Sequence, residues 1–156
     1  MSESRSPNQA ATDAEILTHV QERLLARQLP TSPLYSLLIP DLTIVSATRG
    51  HVLARMPVAK QQLNSRGSLH GTTSACLVDW GGGVAIASHG VDRTGVSTDI
   101  HVSCLSTAKE GDLLEIECVA EKVGRTMAYT TVTIRKVVEG SESVIVSSGR
   151  HTKYII

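Results

Sequence analysis

The sequence carries no excess charge of either sign, because 15 lysines and arginines balance 15 aspartates and glutamates. A protein that binds nucleic acid by bulk electrostatic attraction needs a surplus of basic residues, so this class is disfavoured. Cysteine is also scarce: Cys76, Cys104 and Cys118 are odd in number and far apart, and the six histidines show no metal-ligand spacing. A disulfide framework and a metal site are therefore not expected, and the cysteines fit a reducing compartment.

Long apolar runs are missing as well, so no segment is expected to span a membrane. Residues 1–12 are polar and include Pro7, Asn8 and Gln9, a composition typical of a disordered leader without the apolar core of a signal peptide. Residues 13–156 suffice for one well-buried core and are too few for two ordinary domains. We expect a single domain in a cytoplasmic protein, with a mitochondrial location left open.

Apolar residues in the first third of the chain recur first at helical and then at strand spacing. Asp13 can cap a helix that Pro30 and Pro33 end. The runs 42–47 and 52–58 then predict a hairpin of two strands.

The rest of the chain predicts one apolar helix that begins at His70, followed by strands with period-two alternation at 95–106, 114–121, 128–135 and 143–154. A helix followed by many antiparallel strands is typical of an α+β fold. We expect a long antiparallel sheet with one central helix lying on it.

One carboxylate falls inside the central apolar helix. Asp79 stands two turns from its start, with Ala75, Leu77 and Val78 around it. Burying an ionised carboxylate costs several kcal/mol, roughly, unless the group is paired or solvated. Asp79 therefore faces a partner, an interface or a reaction site, and a structural and a functional role both stay open.

Several motifs occur in order from about residue 60 to the C-terminus: Asn64, His70–Gly71, Asp79, Gly95–Val96–Ser97, the run 106–112, Gly124–Arg125 and the ending 149–153. Together they resemble the hotdog-fold acyl-coenzyme A thioesterases, most closely the phenylacetyl-CoA thioesterase-like branch. The resemblance implies a hotdog fold, in which a long antiparallel sheet wraps around one central helix, and an enzyme that hydrolyses acyl-CoA to a carboxylic acid and free CoA. It implies no metal or redox cofactor, since coenzyme A is part of the substrate.

Thioester hydrolysis needs donors aimed at the carbonyl oxygen and a base for the attacking water. Gly71 suits the first task, because a backbone N–H at a helix N-terminus is free and a missing side chain lets a carbonyl approach. The alternative is a glycine kept for close helix–sheet contact. Asp79 suits the second task, as general base or as a nucleophile through a transient anhydride, and the sequence does not separate these.

Gly71 and Asp79 are eight residues apart, so on one helix they lie about 12 Å from each other along the axis. This is too far for both to act on one carbonyl. A two-fold dimer with antiparallel central helices would bring Gly71 of one subunit beside Asp79 of the other. The resemblance implies the same homodimer, often paired further into a homotetramer.

Three more residues complete the constellation that the resemblance implies. Asn64 can hold the water or the thioester, or it can be an ordinary turn residue. Ser97 can hydrogen-bond to the Asp79 carboxylate or to the water, or be a solvated strand serine. His70 is expected to orient the Gly71 loop by a hydrogen bond, with a purely structural histidine as the alternative.

The resemblance also implies a surface that holds the phosphates and pantetheine of CoA. Lys60, Lys109, Lys122, Arg125 and His151 are the candidates for phosphate contacts, and the Arg125 guanidinium suits bidentate contact. The binding residues carried over are Lys60, Ser97, Asp99, Cys104, Leu105, Ser106, Thr107, Ala108, Lys109, Lys122, Val123, Gly124, Arg125, Thr126, Met127 and His151.

The chain departs from the family pattern after each of the two central motifs. Thr72 replaces a common second glycine, and Trp80 followed by Gly81–Gly82–Gly83 stands where a small or polar residue is usual. Glycines inside a helix cost about 1 kcal/mol each relative to alanine, so these are expected to make room for a neighbouring helix, an acyl chain or the Trp80 ring. The sequence has no phenylalanine, which suggests an acyl pocket with aliphatic walls.

Other functions stay open at this stage. A thioesterase for carrier-protein-bound acyl or polyketide chains is the first alternative. A hotdog dehydratase is disfavoured because no proline follows His70, and a non-catalytic acyl-binding protein is disfavoured by the presence of Asp79. A serine hydrolase is disfavoured because no Gly-x-Ser-x-Gly elbow occurs.

Overall fold

A computed structural model describes residues 10–155 of the chain. Its helical elements are α1 (Asp13–Glu22), a π-helical segment (Arg23–Gln28), α2 (Leu29–Thr31), α3 (Pro33–Leu38), a 3₁₀ turn (Lys60–Gln62) and α4 (Gly71–Ala87). Its strands are β1 (Thr43–Thr48), β2 (His51–Pro57), β3 (Val96–Cys104), β4 (Leu113–Val123), β5 (Met127–Lys136) and β6 (Val144–Tyr154). Most of the expected leader, residues 1–9, lies outside the described residues.

The six strands form one antiparallel sheet in the order β1-β2-β4-β5-β6-β3. Alternate side chains of β4, such as Leu114 and Ile116, are fully buried, whereas Glu115 and Glu117 between them are half-exposed. Helix α4 packs on the buried face of the sheet, and thirteen of its seventeen residues are buried. The α+β prediction and the predicted hotdog arrangement are confirmed.

The N-terminal helices differ from the prediction in their ends. Thr12 is the N-cap of α1, because its hydroxyl accepts from Glu15 N–H while the Glu15 carboxylate accepts from Thr12 N–H; Asp13 is the first helical residue. Pro30 does not end the helical path, because α2 continues directly from the π-helical segment and Pro30 is its second residue. Ser32 breaks the path and caps α3, a helix that the sequence pattern missed.

The glycines of α4 make room for the sheet. A Cβ at Gly81 would lie 2.8 Å from Cγ2 of Val132, and one at Gly82 would lie 2.7 Å from Oγ1 of Thr130. The expectation of a neighbouring helix, an acyl chain or the Trp80 ring at these two positions is therefore wrong. Side chains from the strands occupy that space.

Among residues 10–155, strand β3 pairs only with β6 and forms one edge of the sheet. Its side chains are largely exposed on both faces, including Val96 at 68% and Ile100 at 41%. An unpaired edge with exposed apolar side chains is a template for pairing with another strand. Separately, no helix within residues 10–155 is long and apolar enough to cross a membrane.

Candidate active site

The carboxylate of Asp79, in α4, is one-third exposed. Its Oδ2 accepts a hydrogen bond of 2.7 Å from the hydroxyl of Tyr35 in α3. Its Oδ1 lies 3.8 Å from Nε2 of His151, beyond hydrogen-bond distance. The helix therefore presents one carboxylate oxygen that is bound by a phenol and one that has room for a further donor.

His151 lies beside this carboxylate and is completely buried. Its Nε2 is 2.8 Å from Oγ of Ser97. Burial lowers the pKa of His151 and the charge of Lys153 lowers it further, while the Asp79 charge and the backbone of Asp79 and Val78 act in the opposite direction. The net direction keeps the ring neutral at pH 7, so Asp79 and His151 do not form an ion pair there.

Two expectations from the sequence are corrected by this geometry. Ser97 contacts His151 and not the Asp79 carboxylate, so it reaches the carboxylate only through the imidazole. His151 cannot be a surface phosphate contact, because no part of its side chain is exposed. The burial follows from its place on β6, where it faces Gly82 of α4.

A buried cation lies near the carboxylate. Lys153 follows His151 on the inward face of β6 and is 7% exposed. Burial lowers the pKa of Lys153, the Asp79 charge raises it, and the nearby Arg23 guanidinium lowers it. Arg23 comes from the π-helical segment and also donates to Thr94 Oγ1 at 3.4 Å. Two cationic side chains, one from β6 and one from the N-terminal segment, therefore lie on this side of α4.

The N-terminus of α4 forms the second part of the candidate site. His70 is its N-cap, and its Nδ1 accepts the N–H of Thr72 at 3.0 Å. The first N–H groups of a helix have no intrahelical acceptor, and for Gly71 N–H no acceptor occurs within the described part of the chain. Gly71 is exposed, and a Cβ there would lie 3.7 Å from Sγ of Cys104. This free N–H is suited to a carbonyl oxygen that bears negative charge.

Asn64 closes the turn that precedes α4. Its Oδ1 accepts from the N–H groups of Arg66 and Ser68, and its carbonyl accepts from Gly67 N–H. Asn64 is half-buried, and the described residues offer no acceptor for its side-chain amide hydrogens. Asn64 is therefore a turn residue, and its side-chain amide is still able to donate to a ligand.

The predicted site residues divide into two groups on one chain. The first surrounds Asp79 and the end of the sheet where β3 begins: Ser97, Asp99, Lys122, Val123, Gly124, Arg125, Thr126, Met127 and His151. The second surrounds the start of α4: Lys60, Asn64, His70, Gly71, Cys104, Leu105, Ser106, Thr107, Ala108 and Lys109.

The two groups are separated by the length of β3. Ser97 and Cys104 are seven residues apart on this strand, which is about 23 Å at the rise of a β-strand. Ala108 is fully buried and its carbonyl accepts from Leu69 N–H, so its side chain offers no contact to a ligand. Lys109, Lys122 and Arg125 are exposed, as phosphate contacts must be.

Tyr35 and Lys153 are the residues of this site that the sequence pattern did not reveal. Tyr35 belongs to a six-residue helix after two prolines, with no motif around it. Lys153 could have been suspected, because it occupies an inward position of the alternating strand β6, where a lysine is rarely buried without a partner. Among residues 10–155, no group of three or more His, Cys, Asp or Glu side chains could hold a metal ion.

Comparisons with known proteins give the family of the chain. Residues 66–142 match the sequence profile of the thioesterase superfamily. Human acyl-coenzyme A thioesterase 13 is 34% identical over 114 residues, which cover 73% of this chain and 79% of the human protein.

The fold of this chain is also similar to that of solved thioesterase structures. Zebrafish thioesterase superfamily member 2 superimposes with a TM-score of 0.79 at 31% identity, covering 90% of this chain and 98% of that one. A Streptococcus pneumoniae thioesterase protein solved with coenzyme A gives a TM-score of 0.67 at 27% identity, over 74% and 89% of the two chains. By sequence and by fold, the chain belongs to the thioesterase superfamily.

Proposed function

We propose that this protein hydrolyses acyl-CoA thioesters to a carboxylic acid and free CoA. The proposal rests on one observation: α4 carries two groups suited to the reaction. One is the partly exposed carboxylate of Asp79, and the other is the N–H of Gly71, which has no acceptor among the described residues. The human relative is named an acyl-coenzyme A thioesterase, and a bacterial relative was solved with coenzyme A. Both support CoA as the carrier of the acyl group.

The proposed site forms between two subunits. Gly71 and Asp79 are about 12 Å apart along α4, and the two groups of predicted contacts are separated by the length of β3. Pairing of two β3 edges, antiparallel about a two-fold axis, would place the Gly71 end of one subunit at the Asp79 end of the other. The exposed apolar side chains of β3, such as Val96 and Ile100, support this interface.

In the proposed reaction the substrate carbonyl oxygen accepts the Gly71 N–H of one subunit, which stabilises the negative charge that develops in the transition state. Asp79 of the other subunit acts through Oδ1 on a water molecule as general base, or attacks the carbonyl itself and forms an anhydride that water then opens. CoA leaves as the thiol after taking a proton. No metal or redox cofactor takes part in these steps.

The exposed basic residues complete the proposal. Lys109 of one subunit, with Arg125 and Lys122 of the other, would hold the CoA phosphates across the same interface, and pairing of two such dimers would give a homotetramer. A thioesterase for carrier-protein-bound chains is the second candidate, because the same exposed cations would meet an acidic carrier.

A hydrolysis screen tests the substrate class. Purified protein would be offered CoA esters of short, long, aromatic and branched acids, together with an acyl-carrier thioester, while release of free thiol is followed. We expect turnover of at least one CoA ester well above that of the carrier thioester. Hydrolysis of the carrier thioester alone would assign the second candidate instead.

Mixed dimers test the shared site. A Gly71→Leu subunit and an Asp79→Asn subunit are each expected to be inactive alone. Their heterodimer holds one site with both Gly71 and Asp79 intact, so it should recover up to half of the wild-type activity. Verified heterodimers with no recovered activity would contradict a site shared between subunits.

A further inference from the structure

The hydrogen bond between Tyr35 and Asp79 joins the N-terminal segment to the reactive carboxylate. The donor, the Tyr35 hydroxyl, is 2.7 Å from Oδ2 of Asp79. The phenol is half-buried, and burial together with the Asp79 hydrogen bond raises the pKa of Tyr35 far above its usual range. The hydroxyl therefore keeps its proton and acts as a permanent donor.

Two hydrogen bonds of its backbone fix the position of Tyr35. Ser32 Oγ accepts the Tyr35 N–H at 3.3 Å as the N-cap of α3, and the Tyr35 carbonyl accepts from Ile39 N–H at 2.9 Å. Ile39 is completely buried and Leu38 nearly so, and these side chains anchor α3 on the core. Hydrogen bonds at both ends of the residue hold its ring over α4.

We propose that Tyr35 is a positioning residue of the hydrolysis. By binding Oδ2, its hydroxyl fixes the rotation of the carboxyl group and leaves Oδ1 as the oxygen that faces the water or the thioester. This inference rests on the proposed role of Asp79 as base or nucleophile. A hydrogen bond to an ionised acceptor is stronger than one to a neutral acceptor. A fixed orientation of the carboxyl group lowers the entropic cost of reaching the transition state.

Other groups face the same carboxylate and must be counted in any pH dependence. His151 and Lys153 approach from β6, the Cys76 thiol lies one turn earlier on α4, and Arg23 acts on Tyr35 and Lys153. Burial and the Asp79 charge raise the pKa of Cys76 to about 12, so the thiol stays neutral. Tyr35 differs from these groups, because the described residues contain no other side-chain donor within hydrogen-bond distance of the Asp79 carboxylate.

The variant Tyr35→Phe removes the hydroxyl and keeps the ring. We expect kcat at the plateau of the pH profile to fall about tenfold and KM to change less than about twofold, since the lost contact acts through Asp79 and not on CoA. Tyr129→Phe, on the outer face of β5 and 45% exposed, is the matched control and should behave like wild type.

The outcomes separate this inference from the proposed function. If Asp79→Asn is inactive while Tyr35→Phe keeps the wild-type kcat, Tyr35 has no positioning role and the proposed function stands. An increase of KM alone would make Tyr35 a wall of the substrate pocket and would also overturn the inference. If the wild-type protein hydrolyses no acyl-CoA, the proposed function itself fails; if Asp79→Asn remains active, the proposed role of Asp79 fails and the inference fails with it.

A second measurement does not require Tyr35→Phe to fold. The protein would be labelled with 3-fluorotyrosine, and the ¹⁹F signal of Tyr35 would be assigned with Tyr129→Phe and Tyr154→Phe variants. We expect this signal to move in Asp79→Asn, because the hydroxyl then faces a neutral amide in place of the carboxylate. A Tyr35 signal that is the same in wild type and in Asp79→Asn would overturn the inference.

Discussion

Gly82 lies directly against the ring of His151: a Cβ at this glycine would be 2.5 Å from Nδ1 of the imidazole and 2.7 Å from Oγ1 of Thr130. Both neighbours are buried between α4 and the sheet. No side chain larger than hydrogen fits at Gly82 unless the helix and sheet move apart. This contact places the imidazole of His151 against α4, the helix that carries Asp79.

Replacement by alanine should therefore have opposite effects on stability at two adjacent glycines of α4, Gly82 and Gly83. Alanine favours helix over glycine by about 1 kcal/mol. At Gly83, where a Cβ would meet only Thr94 Oγ1 at 3.7 Å, we expect Gly83→Ala to raise the free energy of unfolding by up to this amount. At Gly82 the cost of overpacking should exceed the gain in helix propensity, so Gly82→Ala should lower the free energy of unfolding by about 1–3 kcal/mol.

Urea unfolding of the two single variants checks this prediction, and each serves as the other's control. If Gly82→Ala were as stable as Gly83→Ala, the close contact between α4 and His151 would not exist in solution.

Replacement of Asp79 by asparagine should abolish most turnover. Asp79→Asn keeps the shape of the side chain and can still accept from the Tyr35 hydroxyl, but it can neither take a proton from water nor attack a carbonyl. We expect kcat to fall by roughly 10²–10⁴ with little change in KM. Circular dichroism and thermal unfolding would verify the fold, and near-normal turnover in the folded variant would contradict the mechanism.

Loss of a surface cation should weaken substrate binding alone. Arg125→Ala and Lys109→Ala should each raise KM for acyl-CoA and leave kcat close to wild type, because a phosphate contact is equally strong in the ground and transition states. The difference from wild type should shrink as ionic strength rises, since salt screens exposed charges. Steady-state kinetics at low and high salt would measure both effects.

Two controls sharpen this test. A pantetheine thioester that lacks the nucleotide should be hydrolysed equally by wild type and both variants. Arg55→Ala removes a cation that pairs with Glu115 away from both groups of predicted contacts, and it should leave KM unchanged. If Arg125→Ala and Lys109→Ala keep the wild-type KM but lose activity on an acyl-carrier thioester, the carrier is the substrate.

Protonation of His151 should destabilise the fold in acid. Burial lowers the pKa of His151 in the folded protein, while an unfolded chain has the ordinary value of about 6.5. The unfolded state then binds more protons below this value, so stability is complete above about pH 6.5 and falls as pH decreases below it. Thermal unfolding of His151→Gln between pH 7.5 and 5.5 should show a weaker dependence on pH than wild type.

Some pH dependence should persist in that variant. The pKa of His89 is also lowered by burial and by Arg49, and it acts with the same sign. The pKa of Glu117 is lowered mainly by hydrogen bonds from His51 and Arg135, but its effect falls at more acidic pH than this window. An unchanged pH dependence in His151→Gln would show that this histidine is not held neutral by burial.

The sequence alone determined the class of fold and the family, and it predicted the residues of the site. Period-two alternation at 114–121 and 128–135 predicted β4 and β5, and the apolar stretch after His70 predicted α4, because alternation and helical spacing reflect which faces contact the core. The rise of a helix was enough to predict that Gly71 and Asp79 lie too far apart to act on one carbonyl within one chain. The order and spacing of the motifs predicted the other residues of the proposed site.

Only the tertiary structure decided what each of these residues contacts. Tyr35 reaches Asp79 across 44 positions of sequence, and His151 reaches Ser97 across 54, so no local pattern could reveal either pair. The family resemblance predicted that His151 contacts CoA. Its side chain faces inward instead, because the register of β6 against β5 places it over Gly82. Local spacing specifies which residues share a face, whereas contacts distant in sequence depend on how α3, α4 and the sheet pack together.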